Sequence, residues 1–148
     1  MPADPAFFDS NIICYLFGAD PAKADRAELL LAGGGWISVQ VLGEVTHVAR
    51  RKAGLDWAQV TAITETMSQL CDVASVTLPI HREARRLAED YGFAFYDAQI
   101  VATALAQNCA VLWSEDMQDG RSVSSQDGRT VTIRNPFSQT APLPPKAK

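Results

Sequence analysis

Short apolar runs alternate with helical patterns along the whole chain, and this constrains the fold more than any single motif. Apolar runs at 6–8, 36–38, 73–76, 110–113 and 130–134 read as strands. Helical stretches at 12–17, 20–31, 39–52, 56–70, 79–91 and 96–107 lie between them. The punctuation agrees. Asp20-Pro21 opens a helix with proline at its first position, and Asp56 with Gln59 forms a capping-box pattern. Gly33-Gly34-Gly35, Gly54 and Gly92 close helices. A β-α-β-α order predicts an α/β fold with a central parallel sheet of four to five strands, covered by helices on both faces. The 148 residues suit one domain with one core, and no repeat or linker divides them. The domain is expected over 1–137. The end of the chain, 138–148, is expected to be a disordered tail, since its last seven residues include three prolines and two lysines. Residues 119–129, rich in Gly, Ser and Asp, read as a loop with a turn at Asp127-Gly128.

Composition narrows the function classes. A net charge of −4 argues against a protein coated in basic surface, although it leaves room for a local basic track. The three cysteines, Cys14, Cys71 and Cys109, are widely spaced and sit among apolar neighbours. They read as buried thiols of a reducing compartment, not as a zinc site or disulfide framework. No run approaches the roughly 18 apolar residues that span a bilayer, and the N-terminus lacks a signal-peptide pattern, so no membrane partner and a cytoplasmic location are expected. Neither phosphate-binding glycine motif, G-x-x-x-x-G-K-[ST] or G-x-G-x-x-G, occurs, and no G-x-S-x-G elbow is present. The two histidines, His47 and His81, read as surface or packed residues. Glu44-x-x-His47 has the spacing of a di-iron bundle, but it occurs once, in a chain that reads as α/β.

Four acids remain as candidates for chemistry. Asp9 follows the first strand and Asp116 follows the strand at 110–113. If those strands are parallel, both emerge at the same sheet edge, where α/β proteins bind ligands. Glu44 joins Val41, Val45 and Val48 on one face of the helix at 39–52, so a carboxylate lies on a face expected to be buried. Asp97 begins the helix at 96–107. Each acid has an ordinary alternative: Asp9 and Asp97 as caps, Asp116 as a turn residue, Glu44 as a salt-bridge or rim residue. Together they have one chemical meaning. Clustered carboxylates repel unless a cation neutralises them, and oxygen-only ligands favour Mg²⁺ or Mn²⁺ over Zn²⁺. Such an ion suits phosphodiester hydrolysis.

Four segments carry a resemblance to a known family: Phe8-Asp9-Ser10-Asn11; the 38–52 helix with Glu44; Tyr96-Asp97-Ala98-Gln99-Ile100-Val101-Ala102; and Ser114-Glu115-Asp116-Met117-Gln118-Asp119-Gly120. In this order, over residues 6–137, the chain resembles the PIN-domain ribonucleases, and among them the VapC-type toxins of bacterial toxin–antitoxin pairs. The resemblance implies a PIN-like three-layer α/β/α fold and a Mg²⁺- or Mn²⁺-dependent endoribonuclease acting on RNA, often tRNA or rRNA. It further implies 5′-phosphate and 3′-hydroxyl products, a homodimer, and a cognate VapB-type antitoxin. By motif, Asp9 and Asp97 would be the main metal ligands, and Glu44 and Asp116 would bind the ion directly or through water. Asn11 and Ser114 would be polar support. Asp119 stands near a position where the family often has histidine, and would be an accessory residue. RNA would approach along Arg50, Arg51 and Lys52, or Arg82, Arg85 and Arg86; the alternative for both clusters is a solvated helix face. The helices at 20–31 and 56–70 are plausible sides of an antitoxin groove. A non-catalytic PIN-like module binding RNA or protein is the competing reading. An aspartyl phosphatase is disfavoured, because Asp9-Ser10-Asn11 lacks the D-x-D pair.

Overall fold

The computed structural model describes residues 5–138. Of the tail expected at 138–148, residues 139–148 lie outside the described residues. In chain order the elements are β1 (Ala6–Phe8), α1 (Ser10–Cys14), a 3-10 turn (Tyr15–Phe17), α2 (Pro21–Ala32), β2 (Trp36–Ser38), α3 (Val39–Arg51), α4 (Trp57–Leu70) and β3 (Asp72–Ala74). They are followed by α5 (Leu78–Tyr91), α6 (Phe95–Ala106), β4 (Val111–Trp113), β5 (Ser122–Ser124) and β6 (Thr130–Arg134).

The helices begin where side chains can satisfy their free amides. Asp20 accepts from the Ala22 and Lys23 N–H groups ahead of Pro21, and Ser38 accepts from Val41 N–H at 3.2 Å. Asp56 and Gln59 bond reciprocally, completing the capping box. Gly92 ends α5 in the left-handed conformation, at φ 77°. Gly35 is required for a different reason. At φ 148° a Cβ there would lie 2.6 Å from the Ala6 carbonyl oxygen, so only glycine lets the turn into β2 pass so close to β1.

The strands form one six-stranded sheet in the order β3-β2-β1-β4-β6-β5. All pairs are parallel except β5 with β6. From β1 the parallel strands step outward to β2 and β3 on one side and to β4 and β6 on the other, and the right-handed rule for such crossovers places helices on both faces. Phe7, Ile37, Leu112 and Ile133 are fully buried in the strands. Helix α6 is buried along almost its whole length, and Ala98, Ala102 and Ala104 let it approach the sheet closely. Among the described residues no helix is long and apolar enough to cross a membrane.

Two sequence expectations are corrected. The stretch 119–129 is not all loop, and the sheet has six strands, not four to five, because Ser122–Ser124 pairs antiparallel with β6. Val123 and Val131 are buried opposite each other, and hydroxyl pairs Ser122–Thr132 and Ser124–Thr130 flank them on the exposed side. Three residues of alternation are too short a signal in the sequence; cross-strand pairing makes the strand. The turn expected at Asp127-Gly128 is present, with Gly128 at φ 90°. The helix expected at 12–17 instead starts at Ser10 and tightens into the 3-10 turn.

Candidate active site

The sheet order reverses between β1 and β4, and a crevice opens there at the carboxyl ends of the strands. Phe8 is in register with Trp113, so Asp9 and Ser114 leave their strands side by side. Asp9 caps α1, its Oδ1 accepting from Ser10 N–H at 2.7 Å. The capping role expected for it is therefore real, and occupies only one of its oxygens. Oδ2 accepts from the fully buried Ser114 hydroxyl at 2.8 Å. Asn11 bridges the two strand ends. Its Nδ2 lies 3.3 Å from Asp9 Oδ2, 3.3 Å from Ser114 Oγ and 3.2 Å from Asp116 Oδ2, while its Oδ1 accepts from Glu115 N–H at 3.1 Å.

Glu44 arrives from α3 and Asp97 from the first turn of α6. With Asp9 and Asp116 they line one cavity of about 530 Å³, together with Gln40, Gly43, His47 and Tyr96. Asp97 makes no cap bond, since α6 starts at Phe95 after Ala94, but it lies in the first turn, where a negative charge suits the helix dipole. Asp119 does not line this cavity. Its Oδ1 accepts from Asn135 N–H at 2.9 Å, which ties the segment after β4 to the end of β6. Glu115 is structural too, joined to Tyr15 Oη at 2.7 Å and to Lys23 Nζ at 3.0 Å.

Burial ranks the acids differently from the sequence. On α3 the buried positions are Val41, Val45 and Ala49, so Glu44 sits half-buried on the edge of the apolar stripe, facing the cavity. Asp9 is the buried acid, at 5% exposure. Burial pushes its carboxyl up to about 6, and nearby Glu44 and Asp97 add to the shift against the lowering effect of its bonds to Ser114 and Ser10. Asp97 is also raised, by burial and then by Asp116 and Glu44. The cavity thus holds carboxylates that disfavour one another's charge, with no lysine or arginine among its lining residues. Among the described residues no three His, Cys, Asp or Glu side chains are drawn into a ready-made metal cage. The arrangement fits a hydrated divalent ion better than a dry one: the ligands are oxygens, the cavity is roomy, and Mg²⁺ usually keeps several waters.

Three contributors were not legible as site residues in the sequence. Gln99, buried in α6, donates to Gln40 Oε1 at 2.8 Å, and Gln40 Nε2 lies 3.3 Å from Glu44 Oε2 and 3.1 Å from the Tyr96 carbonyl oxygen. This relay fixes Glu44 across two helices, and glutamines at ordinary helical positions carry no signal of it. His47, read as an ordinary histidine, lines the acid cavity one turn beyond Glu44. His81 is the packed residue expected, its ring 5.3 Å from Phe95. The cysteines are unpaired. Cys14, on the flank of the site, is pushed up to about 12, mainly by burial and then by Asp9 and Glu44, so it is no thiolate nucleophile. The two basic clusters also separate. Arg86 is committed to Glu83, Asp90 and the Ser124 carbonyl oxygen, a structural use.

A doubly wound α/β domain with carboxylates gathered at its switch point is one class of acidic-site protein. The PIN-domain family profile matches residues 6–118, and this chain belongs to the PIN-domain family. Solved structures share the fold. A toxin–antitoxin complex from Klebsiella pneumoniae matches at 21% identity and a TM-score of 0.68, over 89% of this chain and 98% of that one. VapC20 of Mycobacterium tuberculosis, a Sarcin-Ricin loop cleaving toxin, matches at 22% identity and 0.63, over 75% and 91%. VapBC2 from Rickettsia felis, bound to a DNA fragment from their promoter, matches at 21% and 0.55, over 75% and 87%. No curated protein matches the chain by sequence.

Proposed function

We propose that this chain is a metal-dependent endoribonuclease, the toxin of a toxin–antitoxin pair. The observation that carries the reading is the buried Asp9 carboxylate, facing further acids across one cavity with no lysine or arginine lining it. An unpaired buried charge of this kind calls for a cation. Asp9 and Asp97 would hold Mg²⁺ or Mn²⁺, with Glu44 and Asp116 binding it directly or through water. The ion would supply charge neutralisation at a phosphodiester and a water of lowered pKa.

The chain's own residues do the positioning. Ser114 and the Ser10 N–H hold both oxygens of Asp9, so its orientation is set before any ligand arrives. Asn11 keeps the turn carrying Asp116 against α1. The Gln99–Gln40 relay keeps Glu44 turned to the cavity. Asp9, raised to about 6 by burial, would hold the cation in its ionised form, so binding there would be favoured as pH rises through that value.

An antitoxin partner is supported by the toxin–antitoxin assemblies among the structures of the same fold. Exposed Leu29 on α2 and Leu70 on α4 are the apolar surface that reading needs. Exposed Val39, Leu78 and Tyr96 offer a surface for a second copy of the chain.

The test is cleavage of total RNA by purified protein with Mg²⁺ or Mn²⁺, against EDTA, beside Asp9→Ala and Asp97→Ala. Metal-dependent cleavage lost in both variants is the expected result. Cleavage that persists in EDTA, or is equal in all three proteins, overturns the site. Binding without any cleavage would leave the non-catalytic module.

A further inference from the structure

The acid cavity does not end at Glu44. It shares Gly43 and His47 with a second cavity of about 400 Å³, lined also by Thr46, Arg50, Arg51 and Trp57. Three features of this second cavity face outward and are only partly used by the chain's own contacts.

The first is Trp57. It opens α4 yet is 61% exposed, so most of its large apolar ring is left in water. The second is Arg50. Its guanidinium lies 4.6 Å from the centroid of the Trp57 ring, and its Nη1 donates to the Leu55 carbonyl oxygen at 3.0 Å. A cation stacked on one face and anchored to backbone gives a rigid, charged, aromatic shelf. Arg51 adds a second charge beside it, with no ion-pair partner among the described residues. The third is Gly43. Glycine inside a helix is less favourable than alanine. A Cβ at Gly43 would meet nothing within 4 Å, so no packing in this chain requires it. Its position, as the floor shared by the two cavities, is where an external chain would pass close to the helix.

We propose that single-stranded RNA runs from the acid cavity over Gly43 and His47 to this shelf, where one base stacks on Trp57 and the adjoining phosphates meet Arg50 and Arg51. The ligand chemistry is a flexible polyanion with planar bases, for which an aromatic ring flanked by guanidinium groups is the matching surface. A protein partner fits less well. Two arginines at the end of a passage leading to carboxylates complement a phosphate backbone held by its own metal-dependent site. The apolar Leu70 lies thirteen residues further along α4, about 20 Å away at 1.5 Å per residue. The inference rests on the nuclease reading for its direction but not for its test.

The probe is a labelled 12-nucleotide single-stranded RNA, with binding measured by anisotropy in EDTA so that cleavage plays no part. Trp57→Ala is expected to weaken binding between about five- and a hundred-and-sixty-fold, the range for loss of one stacked base, and Trp57→Phe to restore most of it. Arg51→Ala should lower the slope of log affinity against log salt by about 0.7, whereas Trp57→Ala should leave the slope unchanged. Gly43→Gln should weaken binding while raising the melting temperature, which separates a blocked passage from a damaged fold. Unchanged affinity in folded Trp57→Ala overturns the shelf, even if wild type cleaves RNA with Mn²⁺ and the nuclease reading stands. Conversely, wild-type protein that binds the 12-mer through Trp57 but cleaves nothing with metal keeps the shelf and removes the nuclease. If Trp57→Ala shrinks an oligomer and leaves RNA affinity intact, the shelf is a protein contact and the proposal fails.

Discussion

Asp9 and Asp127 are the same chemical group in opposite surroundings. Asp127 lies in the β5–β6 turn, bonded to the Arg129 guanidinium at 2.7 Å and to the Ser125 hydroxyl, and these contacts lower its carboxyl to about 2. Arg129 also donates to the carbonyl oxygens of Leu105 and Ala106, so the same cation closes the end of α6. Every charge in that corner is answered within the chain. At the strand ends Asp9 is held by neutral donors only, and burial, with nearby Glu44 and Asp97 adding to it, raises its carboxyl to about 6. One region is electrostatically complete and serves stability. The other gathers acids with no lysine or arginine lining their cavity.

The largest test of this contrast is catalytic. Asp97→Ala, and separately Asp9→Ala, should lower metal-dependent RNA cleavage by at least about 10²–10³-fold, the range for losing one preorganised electrostatic contact to a transition state. Asp127→Asn should leave the rate unchanged in the same gel assay. Ser114→Ala should fall between them. It removes the hydroxyl that orients Asp9, and losses of about 10–100-fold in metal affinity are typical of such supporting partners, readable by titrating Mn²⁺.

A calorimetric test comes next. Because the folded state raises Asp9 from 3.8 to about 6, it binds that proton more tightly than the unfolded chain does. Metal-free stability from this group therefore declines as pH rises from about 4 to 6. A divalent ion needs the ionised form, so it should raise the melting temperature more at pH 7 than at pH 5. At a hundred-fold excess over Kd the gain is about 2.7 kcal/mol. Asp9→Asn should abolish the metal-induced rise. An equal rise at both pH values would mean that the ion binds elsewhere. The smallest effect belongs to Asp127. Its contribution is present above its unfolded pKa of 3.8 and is lost as pH falls through about 2, so Asp127→Asn should change the melting temperature only slightly at pH 7.

Much of this architecture is readable from local patterns. Helix α4 announces itself through Asp56 and Gln59, and α2 through Asp20-Pro21, because caps and prolines act on the backbone within a few residues. The parallel pairing of β1 with β4 follows from the β-α alternation, and with it the meeting of Asp9 and Asp116 at one edge. Strand β5 escaped notice because Ser122-Val123-Ser124 has no strand character until Val131 covers Val123. Glu44 lies shallower and Asp9 deeper than their local patterns indicate, for one reason. Helical periodicity says which face a residue shares, but how deep it lies depends on what packs there. The Gln99–Gln40–Glu44 relay spans two helices that only the tertiary fold brings together.

The sequence by itself determined the alternation of elements, their caps, and the order of four carboxylates along the chain, since these depend on neighbours within about one helical turn. Tertiary structure decided which carboxylate is buried, that Arg86 is paired with Glu83 and Asp90, and that Gly43, His47, Arg50 and Trp57 line one cavity. Depth, electrostatic partnership and continuity of a surface arise between segments distant in sequence, and no local pattern encodes them.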